Sequence, residues 1–219
     1  MFIGHFAVAL AAKKVAPKTS LATLFAASQL VDLLWPMFLL FGLEHVRINP
    51  GNTVMTPLDF YDYPITHSLV GAIGWSVLFG AVYYFRRKLS REAIIVALLV
   101  FSHWILDFVT HRPDLPLLGN DSAKFGLGMW NSFAATVSVE SLMFIGGVWL
   151  YMSSTQPKNK IGTVAFIGLV VFIAFIHIGN IFGPPPPNVQ MIAIAGNALW
   201  LFVLWAWWVD RNRTLRLTA

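Results

Sequence analysis

His103 and Asp107 stand four residues apart in an otherwise apolar stretch, Ala97 to Thr110, so in a helix they share one face. An imidazole and a carboxylate one turn apart are a ready pair of metal ligands. Three more residues of the same chemistry fall in the first third of the chain. His5 lies in a short apolar piece, Asp32 lies inside an apolar run, and His67 is the centre of Thr66-His67-Ser68. Cysteine is absent, so there is no thiolate site and no disulfide framework, and any metal must be held by His, Asp, Glu or backbone oxygen.

These residues need a scaffold, and composition says which kind. The 219-residue chain is 57% hydrophobic and 11% charged, whereas soluble domains run near 45–50% and about 25%. This is the composition of an all-α integral membrane protein, and the length fits one helical domain over residues 1–219. The net charge of +5 is not gathered into a nucleic-acid surface, and the expected partner is the lipid bilayer. Six segments are long enough to cross hydrocarbon, at about 20 residues each. They run over 20–42, 65–85, 92–111, 130–153, 162–182 and 189–209. A shorter apolar piece over 2–12 precedes them and predicts a partial-depth helix packed against the bundle. It lacks the early basic region of a signal peptide, so it is expected to be retained.

Basic residues orient this scaffold. Placing the turn before residue 20 on the cytoplasmic side puts twelve of the 15 Lys and Arg residues there. Only Arg47, Arg112 and Lys124 fall on the other side. That asymmetry is the one the positive-inside rule describes, and it predicts a cytoplasmic C-terminus. At about 1.5 Å of rise per residue, His5, Asp32, His67, His103 and Asp107 then share the middle-to-outer depth. Several unpaired charges at that depth would cost several kcal/mol, which a divalent cation would offset collectively. Glu140 is a further intramembrane charge that either extends this set or bonds between helices. His45 and His177 read as packing or interface residues.

The order of these motifs resembles a known family. Gly4-His5, then Asp32 followed by Pro36, then Thr66-His67-Ser68, then Ser102-His103 with Asp107 and Thr110 is similar to the LexA-binding, inner-membrane-associated hydrolases, also described as membrane-bound metal-dependent hydrolases. The likeness covers roughly residues 1–115, and the later spans, over 130–209, add nothing to it. The resemblance implies His5, Asp32, His67, His103 and Asp107 as metal ligands, and an inner (plasma) membrane location. Two departures stand out. The family commonly has Asp-x-Asp-His where this chain has Asp32-Leu-Leu-Trp35, and a His-Arg pair where it has Asp62-Tyr63.

Together these readings lead to a membrane-embedded metal-dependent hydrolase opening to the non-cytoplasmic side. His and carboxylate ligation suits Zn²⁺, with Mn²⁺ or Fe²⁺ as alternatives. Asp62 or Asp107 is expected to accept the proton from an activated water. Arg47, Arg112 and Lys124 are expected to attract an anionic head group, which makes an amphiphile such as a phosphoester lipid the expected substrate. The alternative is an ion or metal transporter whose intramembrane His and Asp residues form a pathway through both halves of the bilayer. A haem protein using two histidines is a third reading, and the companion carboxylates argue against it.

Overall fold

The computed structural model describes residues 1–216. In chain order its elements begin with α1 (Ile3–Ala12), α2 (Leu21–Ser28) and α3 (Leu30–Leu40). Next come β1 (His45–Ile48), β2 (Leu58–Asp62), α4 (Pro64–His67), α5 (Leu69–Arg87) and α6 (Ser90–Thr110). A small ribbon of β3 (Leu115–Pro116) and β4 (Lys124–Phe125) and a 3₁₀ turn at Met129–Asn131 lead into α7 (Phe133–Ser154). The chain continues through β5 (Thr155–Pro157), α8 (Lys160–Phe182), α9 (Val189–Asn197), α10 (Leu199–Arg211) and β6 (Arg213–Leu215).

Among the described residues five helical segments are long and apolar enough to cross a membrane, and there are six if α2 and α3 count as one broken span. The outward faces are apolar. Phe85, Leu142, Ile145, Val164 and Phe175 are all highly exposed, as on a surface whose solvent is hydrocarbon and not water. Three of the expected spans differ in detail. The first is bent by 58° at Gln29. The second starts only at Leu69, because Ser68 leaves the helical region at ψ 154° and caps α5 through the Gly71 N–H. The last is two abutting helices that meet at Ala198.

The largest departure concerns α1. It does not lie against the bundle but inside it, with eight of its ten residues buried. At roughly 15 Å it is half the thickness of a bilayer core. Its small residues make this possible, since Gly4, Ala7, Ala9 and Ala12 let neighbouring backbones come close. A Cβ at Gly147 of α7 would collide with the Ala7 carbonyl oxygen and stand 2.8 Å from its Cα. Phe6 of α1 packs between Phe25 of α2 and Phe202 of α10, with ring centroids 5.1 and 5.4 Å away.

A helix sealed in an apolar core must satisfy its own ends. At the N-terminal end, Glu140 Oε2 of α7 accepts the Phe2 and Ile3 N–H groups at 3.1 and 3.0 Å. Of the two readings open for Glu140, the structure therefore shows the interhelical one. The other end of α1 closes on its own turn, where Ala16 N–H reaches the Ala12 carbonyl at 2.8 Å. The two ends of the bundle are distinct. One carries the basic turns, tied together by Lys13 to Asp210, by Thr19 to Tyr83 and by the β5–β6 ribbon. The other carries the β1–β2 and β3–β4 ribbons, joined through Arg112 to Asp59 and Asn120 to Asp62.

Candidate metal centre

Each side chain of the His/Asp set is placed by a different device. Asp32 sits in the first turn of α3, where the helix dipole favours a carboxylate. His67 ends the single turn of α4, which Pro64 starts. His103 and Asp107 lie one turn apart on α6, and His5 comes from the enclosed α1. All five converge under the β1–β2 end of the bundle. Asp107 is the hub, with Oδ2 lying 3.1 Å from His103 Nε2 and 3.9 Å from His67 Nε2. Its Oδ1 lies 3.1 Å from His5 Nε2 and 2.6 Å from the Met1 amino group. Asp32 closes the set at 3.4 Å from His67 Nε2 and 3.6 Å from His103 Nε2.

These spacings fit a metal ion. Ligand atoms about 2.1 Å from a tetrahedral centre stand about 3.4 Å from one another. Two overlapping groups come near that spacing, His5–His103–Asp107 and Asp32–His67–His103, with His103 shared, their closest pairs at 3.1–3.6 Å and all ligand atoms within 4.8 Å of one another. The two carboxylates carry charge that a divalent cation would balance, although Asp107 also holds the Met1 amino group at 2.6 Å.

Two of the histidines have one ring nitrogen engaged and the other turned toward the cluster. The bend at Gln29 ends α2 and leaves the Ser28 carbonyl without a helical partner. His103 Nδ1 donates to that carbonyl at 2.7 Å. This fixes the tautomer and turns the Nε2 lone pair into the cluster. His103 Nε2 is buried and has no hydrogen-bond partner among the described residues, an orphan that a cation would satisfy.

His67 is oriented by a longer relay. Thr66 donates its hydroxyl to Glu44 Oε2 at 2.7 Å, so its oxygen accepts from His67 Nδ1 at 2.6 Å. Glu44 is held in turn by the Ile65 and Thr66 N–H groups at 2.7 and 2.8 Å. Burial raises the Glu44 carboxyl above its ordinary range, against the opposing pull of His67 and of the Thr66 donors. His5 stacks face to face on His103 with centroids 3.6 Å apart.

Beside the cluster lies a second polar group. His111 Nε2 is 3.9 Å from Asp107 Oδ1, and its Nδ1 is 3.0 Å from Asp114 Oδ1. Tyr63 donates to the same Asp114 oxygen at 2.8 Å. Burial first, then Asp114, pushes the Tyr63 phenol well above its usual range. Trp130 covers His111 with ring centroids 4.2 Å apart.

Comparisons with protein-family models, with curated proteins and with solved structures find no match for this chain.

Not every expected residue joins the centre. Asp62, expected as a base beside the metal, is bound instead to His45 Nδ1 and Asn120 on the outer ribbon. It is carried away because β2 ends at Asp62 and pairs with β1 across the surface. Arg47 and Arg112 are not free for an anion either, since both are paired with Asp59. Lys124 is exposed on β4. Access to the centre is one-sided. The Asp32 side chain is 29% exposed, whereas those of His5, His103 and Asp107 are at most 3% exposed.

Sequence reasoning missed Glu44, the Ser28 carbonyl and the pairing of His111 with Asp114 and Tyr63. Only the last left a trace, because His111 follows Asp107 by four residues and so continues its face.

Proposed function

We propose that this protein is a membrane-embedded metal-dependent hydrolase, with His5, Asp32, His67, His103 and Asp107 as the residues that hold the ion. The observation that carries this reading is His103. Its proton is committed to a backbone carbonyl, and its orphaned Nε2 faces two carboxylates and two further imidazoles. The all-nitrogen-and-oxygen set suits Zn²⁺, then Mn²⁺ or Fe²⁺. A bound divalent cation supplies Lewis acidity and an acidified water.

The chain's own residues do the rest. Asp107 faces four histidines at once, His5, His67, His103 and His111, and is the carboxylate placed to hold or pass a proton within the cluster. His111, backed by Asp114, is placed to carry that proton toward the ribbon end. Asp32, as the exposed member, marks the side from which a substrate approaches. The apolar exterior favours an amphiphile, such as a phosphoester lipid, and of the three outer cations only the exposed Lys124 is without an Asp59 partner to compete with an anionic head. The family resemblance and the charge asymmetry support an inner-membrane location, with the C-terminus cytoplasmic and the site facing outward.

Metal analysis of the purified protein tests the reading. Stoichiometric metal in the wild type, lost in both His103→Ala and His67→Ala, is the expected result. Unchanged metal in both variants would refute the site.

A further inference from the structure

At the basic end, opposite the candidate centre, the turn after α1, the start of α2 and the end of α5 enclose a crevice of about 580 Å³. Its rim holds four cations, Lys13, Lys18, Arg86 and Arg87, against one carboxylate, Asp210. Lys13 is 94% buried, donates to the Thr19 carbonyl at 2.8 Å, and takes Asp210 at 3.1 Å. Asp210 is thereby engaged, and Lys18, Arg86 and Arg87 have no ion-pair partner among the described residues. They come from two separate elements, so nothing local to a single helix explains why like charges face one concavity. Such a cleft concentrates positive potential and selects an anion.

Two other features define that anion. Ser20 and Thr23, from the cap and first turn of α2, line the same crevice as a polar wall, with Ser20 Oγ capping the Thr23 N–H at 3.1 Å and the two hydroxyls 2.8 Å apart. Below them the wall is apolar. Phe79 and Val82 line the crevice, Phe85 is exposed beside its rim, and the exposed Leu78 continues the apolar surface down the outer face of α5. A soluble anion has no use for that wall, whereas the acyl chains of a lipid do.

We propose that this crevice binds the phosphate head group of an anionic phospholipid, with its acyl chains lying along α5. Basic recesses between spans at a cationic membrane face recognise such heads. The proposal is independent of the metal centre, which lies at the other end of the bundle.

Native mass spectrometry of the detergent-purified protein with dioleoyl phosphatidylglycerol tests it, with dioleoyl phosphatidylcholine and inorganic phosphate as comparison probes. The expected result is one retained phosphatidylglycerol per chain, little phosphatidylcholine, and no displacement by phosphate at equal concentration. At roughly fivefold per cation, Arg86→Gln with Arg87→Gln should weaken retention about 30-fold. Lys18→Gln should weaken it about fivefold by the same rule. Lys158→Gln with Lys160→Gln, at the same end but outside the crevice, should leave it unchanged, and metal content should stay at the wild-type level in every variant. Equal retention of phosphatidylcholine, displacement by free phosphate, or equal loss in the Lys158/Lys160 control would each overturn the proposal. So would undiminished retention in the Arg86/Arg87 variant.

Discussion

Thr66→Val removes one hydroxyl and keeps the shape of the side chain, so it isolates the relay behind His67. In the wild type that oxygen makes two short bonds, 2.7 Å to Glu44 and 2.6 Å to His67 Nδ1. Without it the buried His67 Nδ1–H has no acceptor, and Glu44 keeps only its two backbone donors. The imidazole loses what fixes its tautomer and its angle. Partners of this kind contribute about 10- to 100-fold in metal affinity, or about 1.4–2.7 kcal/mol. The unsatisfied groups should also lower fold stability by about 1–3 kcal/mol. Competitive Zn²⁺ titration against a chelator of known affinity, in detergent, reads the first effect, and thermal melting of the metal-free protein reads the second. Thr66→Ser restores the hydroxyl and should recover most of the affinity. If Thr66→Val binds Zn²⁺ as tightly as the wild type while His67→Ala does not, the relay reasoning is refuted.

Other perturbations separate the parts of the fold. Glu140→Ala strips the cap from α1 and leaves two buried N–H groups unmade; melting in detergent should show about 1–3 kcal/mol lost per orphaned group, with weaker metal binding through His5. Gly147→Ala should cost about 1–3 kcal/mol by forcing α1 away from α7, again measured by melting. Asp62→Asn should leave metal stoichiometry intact, because Asp62 is bound to the outer ribbon; loss of the metal would place it in the centre after all. The raised Tyr63 phenol keeps its proton in the fold while the unfolded chain releases its own near pH 10. Stability is therefore complete below about pH 10 and should fall above it by up to about 1.4 kcal/mol per pH unit; Tyr63→Phe should flatten that alkaline limb in a series of melts.

Much of this arrangement was legible because it is written in periodicity and charge. The apolar runs marked the spans to within a few residues, and the four-residue spacing of His103 and Asp107 fixed a shared face whatever the rest of the fold did. The approach of His5, Asp32 and His67 is what their similar positions along the apolar segments lead one to expect. What stayed hidden depends on contacts between distant residues. Glu44 lies in a loop with no pattern around it, and its role exists only because a turn 22 residues later folds back onto it. The burial of α1 was hidden for a related reason. A short apolar helix has the same composition whether lipid or protein surrounds it, and only its small residues hinted at close neighbours. Asp62 was misplaced because hairpin register, which carried it outward, leaves little mark in so short a strand.

The enclosure of α1 and the bend at Gln29 have a consequence for how the protein is made. The ribosome delivers α1, α2 and α3 first, yet the cap of α1 comes from α7, α2 leans on α10, and α3 leans on α9. A short helix with open ends and a broken span are poor guests in lipid on their own. The residues of the candidate site are therefore synthesised before the helices that shelter them. Assembly of the candidate site should wait for the later helices, so a truncation before α7 should disrupt it although His5, Asp32, His67, His103 and Asp107 are all present.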